Sequence, residues 1–251
     1  MATSASSPPG RGGRTVLTDA SRTVPFHIGM PSYRGNTGRA EVIVQGVGPG
    51  IFPGDDLRVE LTAGAGANLV VRGQGATKLY PAPDAAGGAI SRTTLRVATG
   101  GTLVYLPGEL IPFRRAVYRG ETAVEVAAGG QLALGEILTQ GRVAMGERDA
   151  YTRLELRLRA EVGGRVVLLE RGVLEPALRP LSAPGRHGGF GCVGSLYLFG
   201  DGWRTPDADT GIGPVRWGAG GGEGYVLVRL FGPTAQAVRR AIGEMLGAVT
   251  G

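Results

Sequence analysis

Between residues 57 and 170 apolar and polar positions alternate in a unit that recurs four times: an alternating strand, a glycine-rich turn and a second apolar strand. The copies read Leu57-Arg-Val59-Glu-Leu61 through Gly64 and Gly66 to Leu69-Val70-Val71, then Leu95-Arg-Val97 through Gly100-Gly101 to Leu103-Val104-Tyr105. Val124-Glu-Val126 through Gly129-Gly130 to Leu132-Ala-Leu134 follows, and Leu156-Arg-Leu158 through Gly163-Gly164 to Val166-Val167-Leu168-Leu169 is the last. Period-2 alternation sets one face of each strand on a core, and paired glycines supply the positive φ of tight hairpin turns. The turns begin about 30 to 35 residues apart, a spacing at which β modules must stack to bury their apolar faces. The predicted fold is mainly β: stacked, repeated β-hairpin layers in a β-solenoid-like arrangement.

The flanks complete one domain. Residues 1–13 have no period and predict a loose, disordered tail, so the domain is expected over 14–251. Residues 15–47, with the run Ala40-Glu-Val42-Ile43-Val44, open the first sheet layer. Residues 176–189 read as a Pro/Gly loop, 193–199 as a strand, 200–224 as a polar, glycine-rich connection and 225–231 as another strand. From Thr234 the period changes. Ala237/Val238, Ala241/Ile242, Met245/Leu246 and Val249 follow i, i+3/i+4 spacing behind a Thr N-cap, which predicts an amphipathic helix over 233–249 covering the core.

Composition narrows the class. The 46 glycines and 16 prolines suit many short strands, while 42% hydrophobic but only 6% aromatic residues imply a core of Val, Leu and Ala. The single cysteine, Cys192, excludes an internal disulfide, and the first thirty residues hold no apolar run fit for a leader or a membrane span, so a cytoplasmic protein is expected. A net charge of +6 would suit a polyanion partner, but the arginines are scattered along strands rather than gathered into a tract, and no nucleic-acid partner is expected. A polyanion-binding β module, recognisable by steep salt dependence, stands as the alternative. Lys78 is the only lysine.

Catalytic machinery is scarce. The histidines are His27 and His187, no Gly-x-Ser-x-Gly elbow exists, and Gly73-Gln-Gly-Ala-Thr-Lys78 lacks the phosphate-loop order and runs into Leu79-Tyr80. The chain is therefore expected not to be an enzyme. A stacked-β polysaccharide-acting enzyme would use paired carboxylates and several aromatic platforms, and there are two Trp. More informative are carboxylates inside apolar runs: Glu136 in Leu132-Ala-Leu-Gly-Glu-Ile-Leu138, and Glu170 closing Val166-Val-Leu-Leu169. A buried carboxylate needs hydrogen bonds, an arginine, a cation or water around it. Asp55-Asp56, Glu109 and Glu147 sit in turn-like contexts, where capping or ion pairing is the plain expectation.

These segments also carry a family likeness. Pro53-Gly-Asp55-Asp-Leu57-Arg-Val59, Gly75-Ala-Thr77-Lys78-Leu-Tyr80, Leu106-Pro-Gly-Glu109-Leu-Ile-Pro-Phe113, Glu136-Ile-Leu138 with Gly141-Arg142 and Gly146-Glu147, and Gly224-Tyr-Val-Leu-Val-Arg229-Leu-Phe-Gly232, in that order, resemble the UreD (UreH) family of urease accessory proteins over most of residues 40–250. The resemblance implies a largely β, non-catalytic scaffold that binds apo-urease, a helical accessory protein (UreF) and a nickel-carrying GTPase (UreG), and assists nickel delivery. It further implies that Asp55, Asp56, Glu136 and Glu170, with Thr77 and Lys78, line a polar passage for transient nickel(II), with no tightly bound cofactor. Tight nickel sites favour His and Cys, so conduction suits these oxygen donors better than storage. His187 and Cys192 are candidates for a weak extra metal contact, weighed against a plain loop histidine and a packed thiol. Two departures stand out: Pro53 replaces a glycine, and residues 200–224 lack the helix usual there, which puts docking through that helix in question. The first forty residues match poorly.

Overall fold

In a computed structural model the chain is described over residues 1–6, 13–33, 37–82, 87–181, 183, 186–206 and 213–249, the side chains of 248 and 249 excepted. Its strands begin with β1 (Ala2–Ser6), β2 (Val16–Ser21), β3 (Phe26–Ile28), β4 (Ser32–Tyr33) and β5 (Ala40–Gly46). The repeated region supplies β6 (Asp56–Ala63), β7 (Asn68–Gln74), β8 (Thr77–Leu79), β9 (Ala89–Val97), β10 (Thr102–Leu106) and β11 (Glu109–Pro112). It continues with β12 (Val117–Val126), β13 (Gln131–Thr139), a 3-10 turn (Val143–Met145), β14 (Arg153–Val162) and β15 (Arg165–Leu174). Then come β16 (Cys192–Phe199), β17 (Arg216–Gly222), β18 (Tyr225–Gly232) and one helix, α1 (Ala235–Val249).

Two sheets face each other. The first has the order β15-β14-β12-β9-β6-β1-β2, and the second β17-β18-β16-β13-β10-β7-β5-β3, with β4, β8 and β11 branching from it. This corrects the hairpin reading of the repeat. In the first three copies the two strands do not pair: β6, β9 and β12 stack in parallel in the first sheet, and β7, β10 and β13 stack in parallel in the second. Turn length decides between the two outcomes. Four residues separate the strands at 64–67, 98–101 and 127–130, and each turn carries the chain out of one sheet into the other with one left-handed glycine, Gly66, Gly100 or Gly129 (φ 66°, 70° and 75°). In the fourth copy only Gly163 and Gly164 intervene, both at positive φ (57° and 77°), the signature of a type I′ turn, and β14 and β15 form a true antiparallel hairpin.

The arches also explain their second glycines. A Cβ on Gly101 would lie 2.7 Å from the Gly64 carbonyl oxygen, and one on Gly130 would lie 2.9 Å from that of Ala98, so successive arches rest backbone on backbone. The Gly100 N–H donates to the Gly129 carbonyl at 3.0 Å.

Two further expectations are revised. Residues 2–6 of the expected tail form β1, which runs parallel to β6 and antiparallel to β2 and buries Thr3 and Ala5, small side chains that leave little hydrophobic signal. Residues 7–12 lie outside the described residues. Within the glycine-rich connection, β17 is held against β18 by backbone hydrogen bonds; five of its seven residues are Gly or Ala, so there is no alternation to read.

Helix α1 lies on the outer face of the second sheet, where Val238, Ala241, Ile242, Met245 and Leu246 pack on Val104, Ala133, Ile137, Leu196, Leu198 and Leu230. The Thr234 hydroxyl accepts from the Ala237 N–H at 3.2 Å, the predicted cap. Gly135 and Gly194 make room: a Cβ on either would meet Ile242 or Val238. Among the described residues no second layer covers the outer face of the first sheet. Arg92, Arg96, Arg119, Arg157, Arg159 and Arg171 there pair with Glu121, Glu125, Glu155 and Glu161, half of them across strands and half along one strand, which engages much of the basic excess. Three arginines, Arg157, Arg171 and Arg153, hydrogen-bond Glu155 and hold its carboxyl down at about 2. No helix among the described residues is long and apolar enough to cross a membrane.

The arch packing makes a direct prediction. Gly101→Ala forces a methyl into the neighbouring arch and should cost about 1–3 kcal/mol, read as a lower denaturation midpoint. Gly218→Ala on β17, where a Cβ meets nothing within 4 Å, should leave the midpoint unchanged or raise it slightly.

Candidate functional site

Two apolar clusters fill the space between the sheets at different levels. One, with Leu61, Leu69, Leu95, Leu103, Val124, Leu132 and Phe199, lies toward the arches; the other, with Ile51, Leu79, Ala89, Tyr118, Tyr151, Leu154 and Leu181, lies toward the opposite end. Many of the inward positions between them are small or polar. Ser91, Thr93, Gly120, Thr122 and Gly172 come from the first sheet, and Ser195 from the second. Strand register keeps them level: Val59, Thr93, Thr122, Leu158 and Glu170 form one row across β6, β9, β12, β14 and β15. Facing them, Glu136, Ser195 and Arg229 form a row across β13, β16 and β18. Short side chains do not span the gap between packed sheets, and a cavity of about 410 Å³ results.

Its charged groups differ in their surroundings. Glu170 is paired: one oxygen takes a hydrogen bond from Arg229 Nη2 and the other from the Tyr197 hydroxyl at 3.2 Å. Arg229 also donates through Nη1 to the Ser195 hydroxyl and lies 5.5 Å from the centre of the Tyr197 ring. The ion pair therefore bridges the two sheets. Glu136 has no such partner, and among the described residues we find no hydrogen-bond donor to its carboxylate. It keeps accessible surface only because it lines the cavity; protein surrounds it otherwise. Burial, and next the negative charge of Glu170, push its carboxyl up to about 7 against the pull of Arg229. Three tyrosines share this interior. Burial pushes Tyr118 up to about 12 and raises Tyr105 and Tyr197 as well, with Glu136 adding to each, so all three are neutral.

The six residues singled out in the sequence divide. Glu136, Glu170, Thr77 and Lys78 line this one cavity. Asp55 and Asp56 do not. Asp55 closes the turn Phe52-Pro-Gly-Asp55, accepting from the Phe52 N–H at 2.8 Å, with Pro53 and left-handed Gly54 in type II positions, which accounts for a proline there. Asp56 is on the outer face of the first sheet, 2.5 Å from Arg92. Glu147 and Glu109 form the ion pairs expected of them. Burial works against the Glu147 charge, but the Arg142 guanidinium and the Arg114 N–H hold its carboxyl below the usual range. Glu109 pairs with Arg239 of α1 while its strand borders the cavity.

His187 and Cys192 lie in different surroundings. His187 lines the cavity, with Nδ1 3.3 Å from Gln140 Nε2, and burial lowers its pKa. Cys192 packs beneath α1, where burial pushes the thiol up to about 11, so it is an inert packed residue. The described residues contain no cluster of three or more His, Cys, Asp or Glu suited to a metal.

Arg229, Ser195 and the three tyrosines were not read from the sequence as site residues. A signal existed for Arg229: in Tyr225-Val-Leu-Val-Arg229 it shares a face with Leu227, which packs on the inter-sheet core, so a charge occupies an inward position.

Comparison with known proteins places the sequence in a family. The family model described as UreD urease accessory protein matches residues 7–251, further toward the N-terminus than the motifs alone extend. A protein of Brucella suis named urease accessory protein UreD is 31% identical over 248 residues, 95% of this chain and 86% of that protein. A namesake from Sorangium cellulosum is 35% identical over 190 residues, 75% of this chain and 58% of its own length. One from Acetivibrio thermocellus is 29% identical over 187 residues, 74% and 71% of the two chains. The names describe accessory proteins rather than enzymes.

Two measurements test the geometry. Because the folded chain raises the Glu136 pKa, its contribution favours the fold below the ordinary carboxylate range and is lost as pH rises through about 7. Glu136→Gln should therefore change stability little at pH 5 and raise it by up to about 3 kcal/mol at pH 8, seen in denaturant midpoints at the two pH values. Glu170→Gln behaves oppositely: it leaves the Arg229 guanidinium without its counter-charge and should cost about 1–3 kcal/mol at pH 7, less than a fully buried pair because both groups face the cavity.

Proposed function

This chain belongs to the UreD urease accessory protein family, and from that membership we propose that it is a non-catalytic scaffold of urease maturation whose inter-sheet cavity carries nickel(II) in transit. The observation that supports this reading is Glu136, a carboxylate without a hydrogen-bond donor among the described residues that faces a cavity of about 410 Å³. A lone buried carboxylate is costly and is ordinarily satisfied by a partner; here the open partners are water and a cation. The donors of the cavity are mainly carboxylate, hydroxyl and phenol oxygens, with the His187 imidazole also on its wall. Oxygen ligands hold nickel more weakly than imidazole and thiolate do, which suits a cargo that must leave again.

In this reading Glu136 and Glu170 contribute the negative charge of the passage, and Thr77 with Lys78 stands at its border. Lys78, exposed on β8, faces solvent at that border, where a cation already coordinated by a partner would be handed over. The partners are apo-urease, a UreF-type helical protein and a UreG-type GTPase, meeting in the cytoplasm. The stack of arches, solenoid-like in its in-step registers, is the rigid frame that holds the cavity open between them. Asp55 and Asp56 have structural work in a turn and a surface ion pair and are left out of the passage.

The test is co-expression with apo-urease and its other accessory proteins. Glu136→Gln should fold, should assemble with the partners like the parent chain, and should lower urease activation severalfold at limiting nickel. Normal activation by a folded, assembled variant would leave scaffolding as the function and remove the cavity from it.

A further inference from the structure

Resting on the transit reading, one more role emerges from the cavity's own cation. Glu170 is engaged at both oxygens: Arg229 Nη2 donates to one and the Tyr197 hydroxyl to the other. While Arg229 stays, its guanidinium neutralises the Glu170 charge and occupies the side of the carboxylate it binds. The guanidinium itself is held three ways, by Glu170 across the gap, by the Ser195 hydroxyl on the neighbouring strand and by the Tyr197 ring. Glu136 sits on the same row, two strands away through Ser195, with its carboxylate open. The cavity is many times larger than the ~30 Å³ share of one water molecule, so an unpaired guanidinium has room to swing.

From this we infer that Arg229 is a tethered counter-cation that occupies the cation-binding position of the cavity, and that a divalent ion takes Glu136 and Glu170 together only by displacing it. The device is an exchange of charge. With Arg229 in place a cation meets one open carboxylate and a fixed positive group beside it. With Arg229 displaced it meets two carboxylates and the hydroxyls of Ser195 and Tyr197, all oxygen donors. A doubly charged ion competes for the pair better than a singly charged one, because Coulomb attraction scales with charge, so Arg229 also sets selectivity against sodium and potassium. Return of the guanidinium to Glu170 then expels the ion, which keeps its residence short.

The experiment uses the full chain and nickel(II) alone as the probe, followed by calorimetry and by the thermal midpoint with and without the ion at pH 7.5. Arg229→Gln keeps a donor for Ser195 but removes the competing charge. It should lower the midpoint, bind nickel(II) roughly tenfold or more tightly than the parent chain, and recover midpoint when nickel(II) is added. The double variant Arg229→Gln with Glu170→Gln should lose that gain. An arginine that only ties the sheets together predicts a lowered midpoint that nickel(II) does not restore and an unchanged affinity, and that result would overturn the proposal. Should Arg229→Gln fail to fold, Arg229→Lys keeps the charge but cannot fork between Glu170 and Ser195; affinity should still rise by roughly threefold, and no rise overturns the proposal.

Urease activation separates this from the transit reading. Tighter nickel binding by Arg229→Gln with normal activation supports the counter-cation while the transit reading fails. Activation that depends on Glu136, with unchanged affinity in Arg229→Gln, overturns the counter-cation while transit stands.

Discussion

Everything in this molecule follows from how the distance between its two sheets is held. Facing sheets pack at about 10 Å when side chains interdigitate, and here two apolar clusters, one toward the arches and one toward the opposite end, set that distance. Between them the same distance must persist over positions occupied by serine, threonine and glycine. Those side chains do not reach across, and the neighbouring clusters do not let the sheets collapse onto them. The cavity is therefore a product of the flanking packing, and so is the burial of Glu136, whose carboxyl is shifted by an environment it does little to create. Polar ties across this level are the Glu170–Arg229 pair and the hydrogen bond from the Tyr197 hydroxyl to Glu170.

Much of this architecture was legible in the chain. The four alternating units, the strands around residues 193–199 and 225–231 and the C-terminal helix all fall where periodicity puts them, because their side chains divide between a buried and a solvated face. What periodicity does not carry is which sheet a strand joins. A glycine pair looks alike in an arch and in a hairpin, and the deciding quantity is the number of residues between strand ends, which blurs when those ends are uncertain by a residue. Strands β1 and β17 were missed for a related reason: small side chains and glycine give no apolar alternation, and backbone pairing with β6 and β18 holds them.

The site was half legible. Glu136 and Glu170 stood out as charges inside apolar runs, a local anomaly that sequence displays directly. Asp55 and Asp56 were drawn in by family likeness, and geometry assigns them to a turn and to an outer-face ion pair. Ser195 and the tyrosines stayed hidden because each is ordinary in its own strand, and only the registry of β13, β16 and β18, distant in sequence, aligns Ser195 with the charges. The partner of Glu170 lies 59 residues away along the chain, beyond any local pattern.

The arches also dictate where this frame yields. Each of the first three is a four-residue link resting on its neighbour, so along that margin the sheets are bound like the spine of a book. At the fore-edge the returning segments are longer and pass through β8, β11 and the 3-10 turn before reaching the first sheet again. Any breathing of the two covers is thus a hinge about the spine, widest at the fore-edge, where Thr77 and Lys78 stand. Glu109 of β11, clasped to Arg239 of the helix, ties that outer margin to the surface layer.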